Sequence, residues 1–390
     1  MNYFKAFFSS GRGLSQDVKL ICISEFLFFF GDGLFTFLLP VYIRQLDASA
    51  TDVGLLYAFY YLSNGLSVLA GGFLADRFDR KKIIIFSSLI WIPVPLMMLM
   101  ATSWSQMLLP MILYGAYFCA PAVSVHIAKS SAEHRYMFAY GMWSASTCLG
   151  YVFSPSLGGF IASSIGMHIV FLLSFAFFLA SMFPLFFIRT QQTEENKISA
   201  KSSTEKTSNM TRLIILACFF STAMFFYNLL NPLVSQFTNE VYGQSLLNIG
   251  IFGVATSMGG FFFSLTLGHI GDKLSRINAI AFSLLISACS FLLMITLNNF
   301  ATLFVASFLA GAFGPFLYLM VGLVASLAPH RFEGRWVSVV QTSVTLTTFG
   351  APLVGGLLYE FSSCLPFYVF IIAMLCLAVV AWIASKHFKQ

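Results

Sequence analysis

The sequence predicts an all-α integral membrane protein: twelve transmembrane helices arranged as two six-helix bundles. Three observations carry that prediction. The 390-residue chain is 58% hydrophobic and only 9% charged, where a soluble domain carries ~25% charged residues. Its apolar residues come in blocks close to the ~20 residues that cross a bilayer as a helix. Lipid leaves every backbone polar group to be satisfied internally, so such unbroken runs are helices rather than the alternating strands of a barrel. Finally, with twelve spans in strict alternation, 20 of the 21 Lys and Arg residues fall on one side.

In chain order the spans are expected at roughly 20–42, 53–75, 83–102, 106–127, 137–163, 168–188, 213–238, 245–267, 278–297, 301–328, 336–359 and 364–385. The first follows Lys5, Arg12 and Lys19; it is too long for a cleavable signal peptide and no small-x-small site closes it. Arg77, Arg80, Lys81 and Lys82 follow the second span, and Lys129 and Arg135 the fourth. After the sixth come Arg189, Lys197, Lys201, Lys206 and Arg212; after the eighth, Lys273 and Arg276. Arg331 and Arg335 follow the tenth, and Lys386 and Lys389 the twelfth. Only Arg44 lies on the other side. The positive-inside rule then places both termini in the cytoplasm of a multi-pass protein of the cell (inner) membrane. Topology accounts for the net charge of +6, and no nucleic-acid partner is needed.

The stretch "TQQTEENKISAKSSTEKTSNMT" is polar, aperiodic and rich in Ser and Thr, as a flexible cytoplasmic linker is. It divides the chain into a bundle at 1–189, a linker at 190–212 and a second bundle at 213–390. The seven Cys residues are scattered, without CxxC or Cys/His spacing, so neither a disulfide framework nor a metal site is expected. HExxH, GxSxG and P-loop patterns are absent, which argues against an enzyme and against nucleotide as the energy source. No cofactor is expected.

The halves echo each other. "GFLADRFDRKK" begins at Gly72 and "GHIGDKLSRIN" at Gly268, which pairs Asp76 with Asp272 at an offset of 196. "SPSLGG" in the fifth span and "APLVGG" in the eleventh pair Pro155 with Pro352 at an offset of 197. Two unrelated motifs at nearly one offset indicate a parallel duplication, an architecture that binds substrate near the midplane between the halves.

The pattern G-x-L-A-D-R-x-x-R-K after the second span resembles the signature loop of the major facilitator superfamily. The span count, the central linker and the weaker second copy resemble that family too. Asp79 stands where the family pattern has Gly, which alters the tight turn or adds a local ion pair. The resemblance implies alternating access by rocking of two bundles. It also implies a cytoplasmic gate at Gly72, Asp76, Arg77, Arg80 and Asp272. In that gate Asp76 would face the positive end of the eleventh helix and latch the outward-open state.

The fifth span reads "GMWSASTCLGYVFSPSLGG". Gly141, Gly150, Pro155, Gly158 and Gly159 resemble the antiporter motif of drug-exporting members, with Ser154 replacing a usual Gly. The same residues also suit a kinked, closely packed helix in any member of the family.

Two acids lie well within a span, Glu25 and Asp32, both in "SEFLFFFGDGLF". Intramembrane ionisable residues are expensive and mark function by default. Their spacing puts them on one face with Phe29 and Thr36, ~10 Å apart along the axis. No Lys or Arg sits mid-span to pair with them. This favours a cationic or neutral substrate with proton exchange over an anionic one. Acids at similar depth in helix 1 resemble an arrangement of multidrug:proton antiporters, although the Arg that such exporters carry in helix 4 is missing here.

In the seventh span, Tyr227, Asn228 and Asn231 are cavity candidates, with the alternative that the Asn pair serves carbonyls freed by Pro232. Gln341, Asn64, Tyr117 and Trp143 are further candidates, each with packing as the alternative. His126 reads as an interfacial residue. The expected function is proton-coupled export of small amphipathic or cationic compounds by a monomeric carrier. Transport of a specific metabolite (a siderophore, an amino acid or similar) and a non-transporting membrane sensor are the rival readings.

Overall fold

Proline decides where the long apolar runs break, because it cannot donate to the carbonyl four residues back. The computed structural model of the chain describes residues 14–131, 136–190, 210–273, 276–316, 319–320, 323–324 and 333–387. No strand occurs among them. The first crossing is α1 (Gln16–Gly33) and α2 (Leu39–Arg44), the second α3 (Ala50–Arg77). The third is α4 (Arg80–Trp91) and α5 (Val94–Met100), the fourth α6 (Leu108–Gly115) and α7 (Cys119–Ser130). Next come α8 (Tyr136–Ser164) and α9 (Met167–Leu185). The seventh crossing is α10 (Met210–Leu230) and α11 (Leu233–Glu240), the eighth α12 (Leu246–Lys273), the ninth α13 (Arg276–Thr296). The tenth begins with α14 (Phe300–Ala310), the eleventh is α15 (Glu333–Thr347) and α16 (Ala351–Phe361), and the twelfth is α17 (Leu365–His387).

Several spans expected to be continuous are therefore interrupted. The first breaks at 34–38, before Pro40, the fourth at 116–118, before Pro121, and the seventh at 231–232, at Pro232. The tenth tightens into a 3-10 turn at Gly311–Phe313, before Pro315. Breaks recur in two pairs of matching crossings, first with seventh and fourth with tenth, whereas the third breaks at 92–93 and the eleventh at 348–350 without a counterpart in the ninth and the fifth. Pro155 and Pro184 are carried inside α8 and α9 without a break. Among the described residues, eight helical stretches are long and apolar enough to cross a membrane by length and composition alone. The first crossing misses that measure because α1 holds four charged residues, Asp17, Lys19, Glu25 and Asp32. The tenth is described only in part, and the 29-residue α8 is diluted by Ser, Gly and Tyr. Large apolar side chains such as Phe153, Phe183 and Ile372 stay exposed on the outside, as lipid-facing residues do.

Side-chain caps set several starts. Ser15 caps α1, a reciprocal Ser49–Asp52 capping box opens α3, and Asn299 caps α14. Asp79 decides its own alternative: its carboxylate accepts the Lys81 backbone N–H at 3.0 Å, so the departure from the family pattern is the N-cap of the third crossing.

Two large hydrophobic cores form, beside a small cluster of Phe263, Leu267, Ala279 and Ala312. One draws on 14–188 with Ile249 added, the other on 213–381 with Ala50 added. The bundles meet where the fifth crossing packs on the eighth and the second on the eleventh. On the face opposite the basic loops the meeting is tight. A Cβ on Gly54 would collide with the Pro352 carbonyl, and one on Gly159 with the Leu246 carbonyl. The Thr51 backbone N–H donates to Glu360 at 3.0 Å across the same seam. Arg44, the lone base of that face, bridges to Glu240 at 2.5 Å, and Tyr359 donates to the same carboxylate at 3.1 Å. On the basic face the bundles part. At Gly72, Gly141 and Gly268 a Cβ would meet no atom within 4 Å, and a cleft of about 540 Å³ separates the fifth and eighth crossings. Among the described residues the molecule is closed opposite the basic face and open on it.

A half-exposed ion pair is worth ~0.2–1 kcal/mol, up to about fivefold in a two-state population. Arg44→Ala should therefore raise labelling of a cysteine placed behind the closed seam by a few-fold. Unchanged labelling would show that the bridge does not hold the seam.

Candidate functional site

The broken helices build the site. Irregular backbone at membrane depth is tolerated where it lines a cavity, and the breaks in the first, seventh and tenth crossings border one of about 460 Å³ between the bundles. Thr36, Tyr57 and Tyr151 line it from one half, and Tyr227, Asn231, Thr256 and Phe291 from the other. No charged side chain lines it among the described residues.

Asp32 ends the regular part of α1, just before the break. Its backbone carbonyl accepts from the Phe35 and Thr36 N–H groups and from the Thr36 hydroxyl at 2.8 Å, which fixes the turn. Its carboxylate is only 3% exposed and lies one layer behind the cavity wall. One oxygen accepts from the Tyr114 hydroxyl and the other from the Tyr151 hydroxyl. The Thr36 hydroxyl is 3.1 Å from that of Tyr114, whose ring packs on Tyr60 at 5.1 Å and Phe35 at 5.6 Å. Among the described residues no basic group pairs with Asp32. Chemically this is a carboxylate with both oxygens engaged by neutral donors. If it takes a proton, one oxygen becomes a donor and a tyrosine must turn to accept or withdraw.

Gly33 lets this corner assemble, because a Cβ there would strike the Ser154 hydroxyl and the Tyr151 ring. The Gly-Pro pattern of the fifth crossing works on two faces. Gly150 and Gly158 lie against Phe29 and Leu34 of the first crossing, with Ser154 between them and its hydroxyl donating to the Gly150 carbonyl at 2.7 Å. Pro155 and Gly159 lie against Gly250, Leu246 and Leu247 of the eighth. Gly141, at the other end of the motif, faces open space.

The other expected residues fall in separate places. Glu25 does not join Asp32 at the cavity. It is half-buried among Cys22, Cys119 and Trp143 inside the first bundle. Trp143 packs edge-on against Tyr140 at 5.7 Å, and its indole N–H approaches Glu25 without hydrogen-bond geometry. Tyr117 is stacked on Trp91 at 5.1 Å, and its backbone N–H donates to Ser67, so it is a packing residue. Tyr227 does line the cavity, stacked on Phe313 at 4.0 Å. The Asn pair separates: Asn231 lines the cavity and donates to the Tyr61 hydroxyl at 3.4 Å, across the two halves. Asn228 is buried and bonds the Met224 carbonyl of its own helix.

Asn64 donates to the Gly115 carbonyl, freed by the break in the fourth crossing. Gln341 is exposed on α15. His126 is fully buried, 3.4 Å from the Asp17 carboxylate, rather than interfacial. In the signature loop Arg77 is exposed and Arg80 is 5% exposed. The side chains of Asp76 and Asp272 lie outside the described residues, as does most of the 190–212 linker.

Two residues of the site carry no mark in the sequence pattern, Tyr114 and Tyr151. Tyr114 is one turn from Tyr117, and the break at 116–118 rotates one off the site and leaves the other on it. Tyr151 lies inside the Gly-Pro motif of the fifth span, where the small residues dominate the pattern. A polar aromatic at mid-span depth is the signal that could have found both.

Comparison with known proteins bears on this geometry. The Major Facilitator Superfamily pattern matches residues 21–243 and 215–389. Quinolone resistance protein NorA of Staphylococcus aureus (strain COL) is 25% identical over 384 residues, covering 96% of this chain and 98% of NorA. Multidrug resistance protein MdtG of Klebsiella pneumoniae (strain 342) is 26% identical over 332 residues, 82% of this chain and 81% of MdtG. Among solved structures, the peptide transporter POT in complex with sulfate aligns with a TM-score of 0.78 at 14% identity, over 96% of this chain and 95% of that one. A bacterial homolog of the human lysosomal transporter Spinster, inward-facing and unoccupied, aligns at 0.73 and 16% identity, over 95% and 96%. At such identities the structural likeness concerns the fold.

Proposed function

The chain belongs to the major facilitator superfamily, and from that premise we propose that it exports small amphipathic or cationic compounds in exchange for protons, with Asp32 as the proton site. It is a multi-pass membrane carrier of small molecules and not an enzyme. The observation that carries the proposal is the Asp32 carboxylate: buried, held by two tyrosines and, among the described residues, without a basic partner and set behind a cavity free of charged side chains. A cavity lined by tyrosine and phenylalanine faces suits a flat or amphipathic cation, by cation–π attraction and apolar contact. An anion would find no fixed positive group there among the described residues. The relatives named for quinolone and multidrug resistance support the same reading.

By the positive-inside rule the basic face is cytoplasmic, so the conformation is inward-open, with the exit closed by the Arg44–Glu240 seam. We place the carrier in the cell (inner) membrane as a monomer, with bundles at 1–189 and 213–390. The loop from Gly72 to Arg80 is the proposed latch of the outward-open state. Glu25, away from the cavity, is a second protonatable group two turns nearer the cytoplasm.

Purified carrier should show a raised Tm with amphipathic cations such as tetraphenylphosphonium and none with anionic metabolites. Shifts with anions alone would overturn the substrate class.

A further inference from the structure

Asp32 and the cavity do not touch directly. The carboxylate is absent from the cavity wall and almost without exposure, and the side chain between the two is Tyr151. Its hydroxyl donates to Asp32 while the residue forms part of the cavity lining. Tyr114, the other donor, does not line the cavity. It is also the more firmly held of the two: its hydroxyl meets Thr36 at 3.1 Å and its ring is packed on Phe35 and Tyr60. The Tyr151 ring has Phe29 at 5.5 Å on one side and passes over Gly33.

We propose that Tyr151 is the coupling residue: proton and substrate do not compete for the Asp32 carboxylate itself but communicate through the Tyr151 side chain. This rests on the reading of Asp32 as the proton site. With Asp32 ionised, Tyr151 is held by its hydroxyl and the cavity wall is set for substrate. A proton from solvent converts that carboxylate to a carboxylic acid, whose O–H now needs an acceptor. Tyr114 stays in place, and the Tyr151 hydroxyl gives up its donor role, which frees the ring to shift into the cavity. Substrate resting against Tyr151 opposes that shift and so opposes protonation, as reciprocal linkage demands. The only covalent change is the transfer of one proton from hydronium, which is left as water, to an Asp32 oxygen.

Among the described residues, the side chains that face Asp32 carry hydroxyls, and no amine, imidazole or second carboxylate stands beside it. They are Thr36 on its own crossing, Tyr57 and Tyr60 on the second, Tyr114 on the fourth and Tyr151 on the fifth. The sixth crossing contributes the Ser174 hydroxyl, which donates to the Gly31 carbonyl at 2.8 Å. Among the described residues no Lys, Arg, His or second acid bonds the carboxylate.

The test measures tetraphenylphosphonium affinity of the full-length carrier at acid and alkaline pH for four proteins. Wild type should bind more weakly at acid pH, by up to about tenfold per pH unit. Asp32→Asn should abolish that dependence; if it persists, or if wild type binds at neither pH, the underlying proton-site reading is wrong. Tyr114→Phe removes one Asp32 hydrogen bond and should keep the pH dependence. Tyr151→Phe removes the other, and, whatever its affinity at alkaline pH, the ratio of its acid to its alkaline affinity should fall to about one. A pH dependence retained in Tyr151→Phe, or lost equally in both Phe variants, overturns the coupling role while leaving Asp32 as the proton site. An infrared titration of the Asp32 carboxyl band, with Asp32→Asn as blank, reads protonation without substrate. In wild type, tetraphenylphosphonium should suppress that band at a fixed acid pH, and in Tyr151→Phe it should not.

Discussion

Asp32→Asn is expected to reduce proton-driven transport in proteoliposomes to the level of protein-free vesicles, with the fold intact. Asn matches the shape of Asp and still accepts from the Tyr114 hydroxyl, while its amide NH₂ can donate to the Tyr151 oxygen once that hydroxyl turns. Stability should therefore change little. The amide cannot take up or release a proton in the accessible pH range, so the antiport cycle loses its coupling step. Substrate-for-substrate exchange, which needs no net proton movement, should continue and become independent of pH. The checks are substrate-induced alkalinisation or acidification of the vesicle lumen and a parallel exchange assay. A variant that transports at the wild-type rate with the wild-type pH dependence would show that the proton is carried elsewhere, with Glu25 the next residue to test.

The second large effect concerns packing. Gly158→Ala should destabilise the carrier by roughly 3 kcal/mol, the upper end of overpacking costs. The new methyl would collide with the Leu34 carbonyl of the first crossing, and a backbone atom in a packed helix pair cannot move aside as a flexible side chain can. Leu34 begins the break that positions Asp32 and Thr36, so transport should fall with Tm. Gly141→Ala, in the same motif, meets nothing within 4 Å and should leave Tm unchanged. Equal Tm values for the two variants would show that this face of α8 is not tightly packed against the first crossing. The pair also separates two roles within one sequence pattern. Gly150 and Gly158 serve the approach to the first crossing, while Pro155 and Gly159 serve the seam with the eighth.

Much of the fold was legible in the chain because bilayer physics is one-dimensional. Span length, apolar content and the side on which Lys and Arg fall are properties of segments, and each reads without knowledge of its neighbours. The duplication was equally visible, since Asp76 with Asp272 and Pro155 with Pro352 recur at nearly one offset. The site was legible only in part. Asp32 stood out because an acid at mid-span depth is costly wherever its helix packs. Glu25 stood out for the same reason, yet the bundle interior takes it to Trp143 rather than to the cavity. The Asn pair shows the same limit: three residues apart in sequence, Asn228 bonds its own helix, and Asn231, in the break at Pro232, reaches the other half.

The sequence by itself determined that this protein crosses the membrane repeatedly, as two related halves, and carries a mid-membrane acid without a basic partner. Only the tertiary structure decided what surrounds that acid. Tyr114 and Tyr151 are ordinary polar aromatics in one dimension. They become its hydrogen-bond donors because helix breaks at 34–38 and 116–118 set the phase of the first and fourth crossings. Close approach of the first and fifth crossings at Gly33, Gly150 and Gly158 then brings the donor within reach. Phase and approach depend on how several helices pack together, and no single segment encodes them.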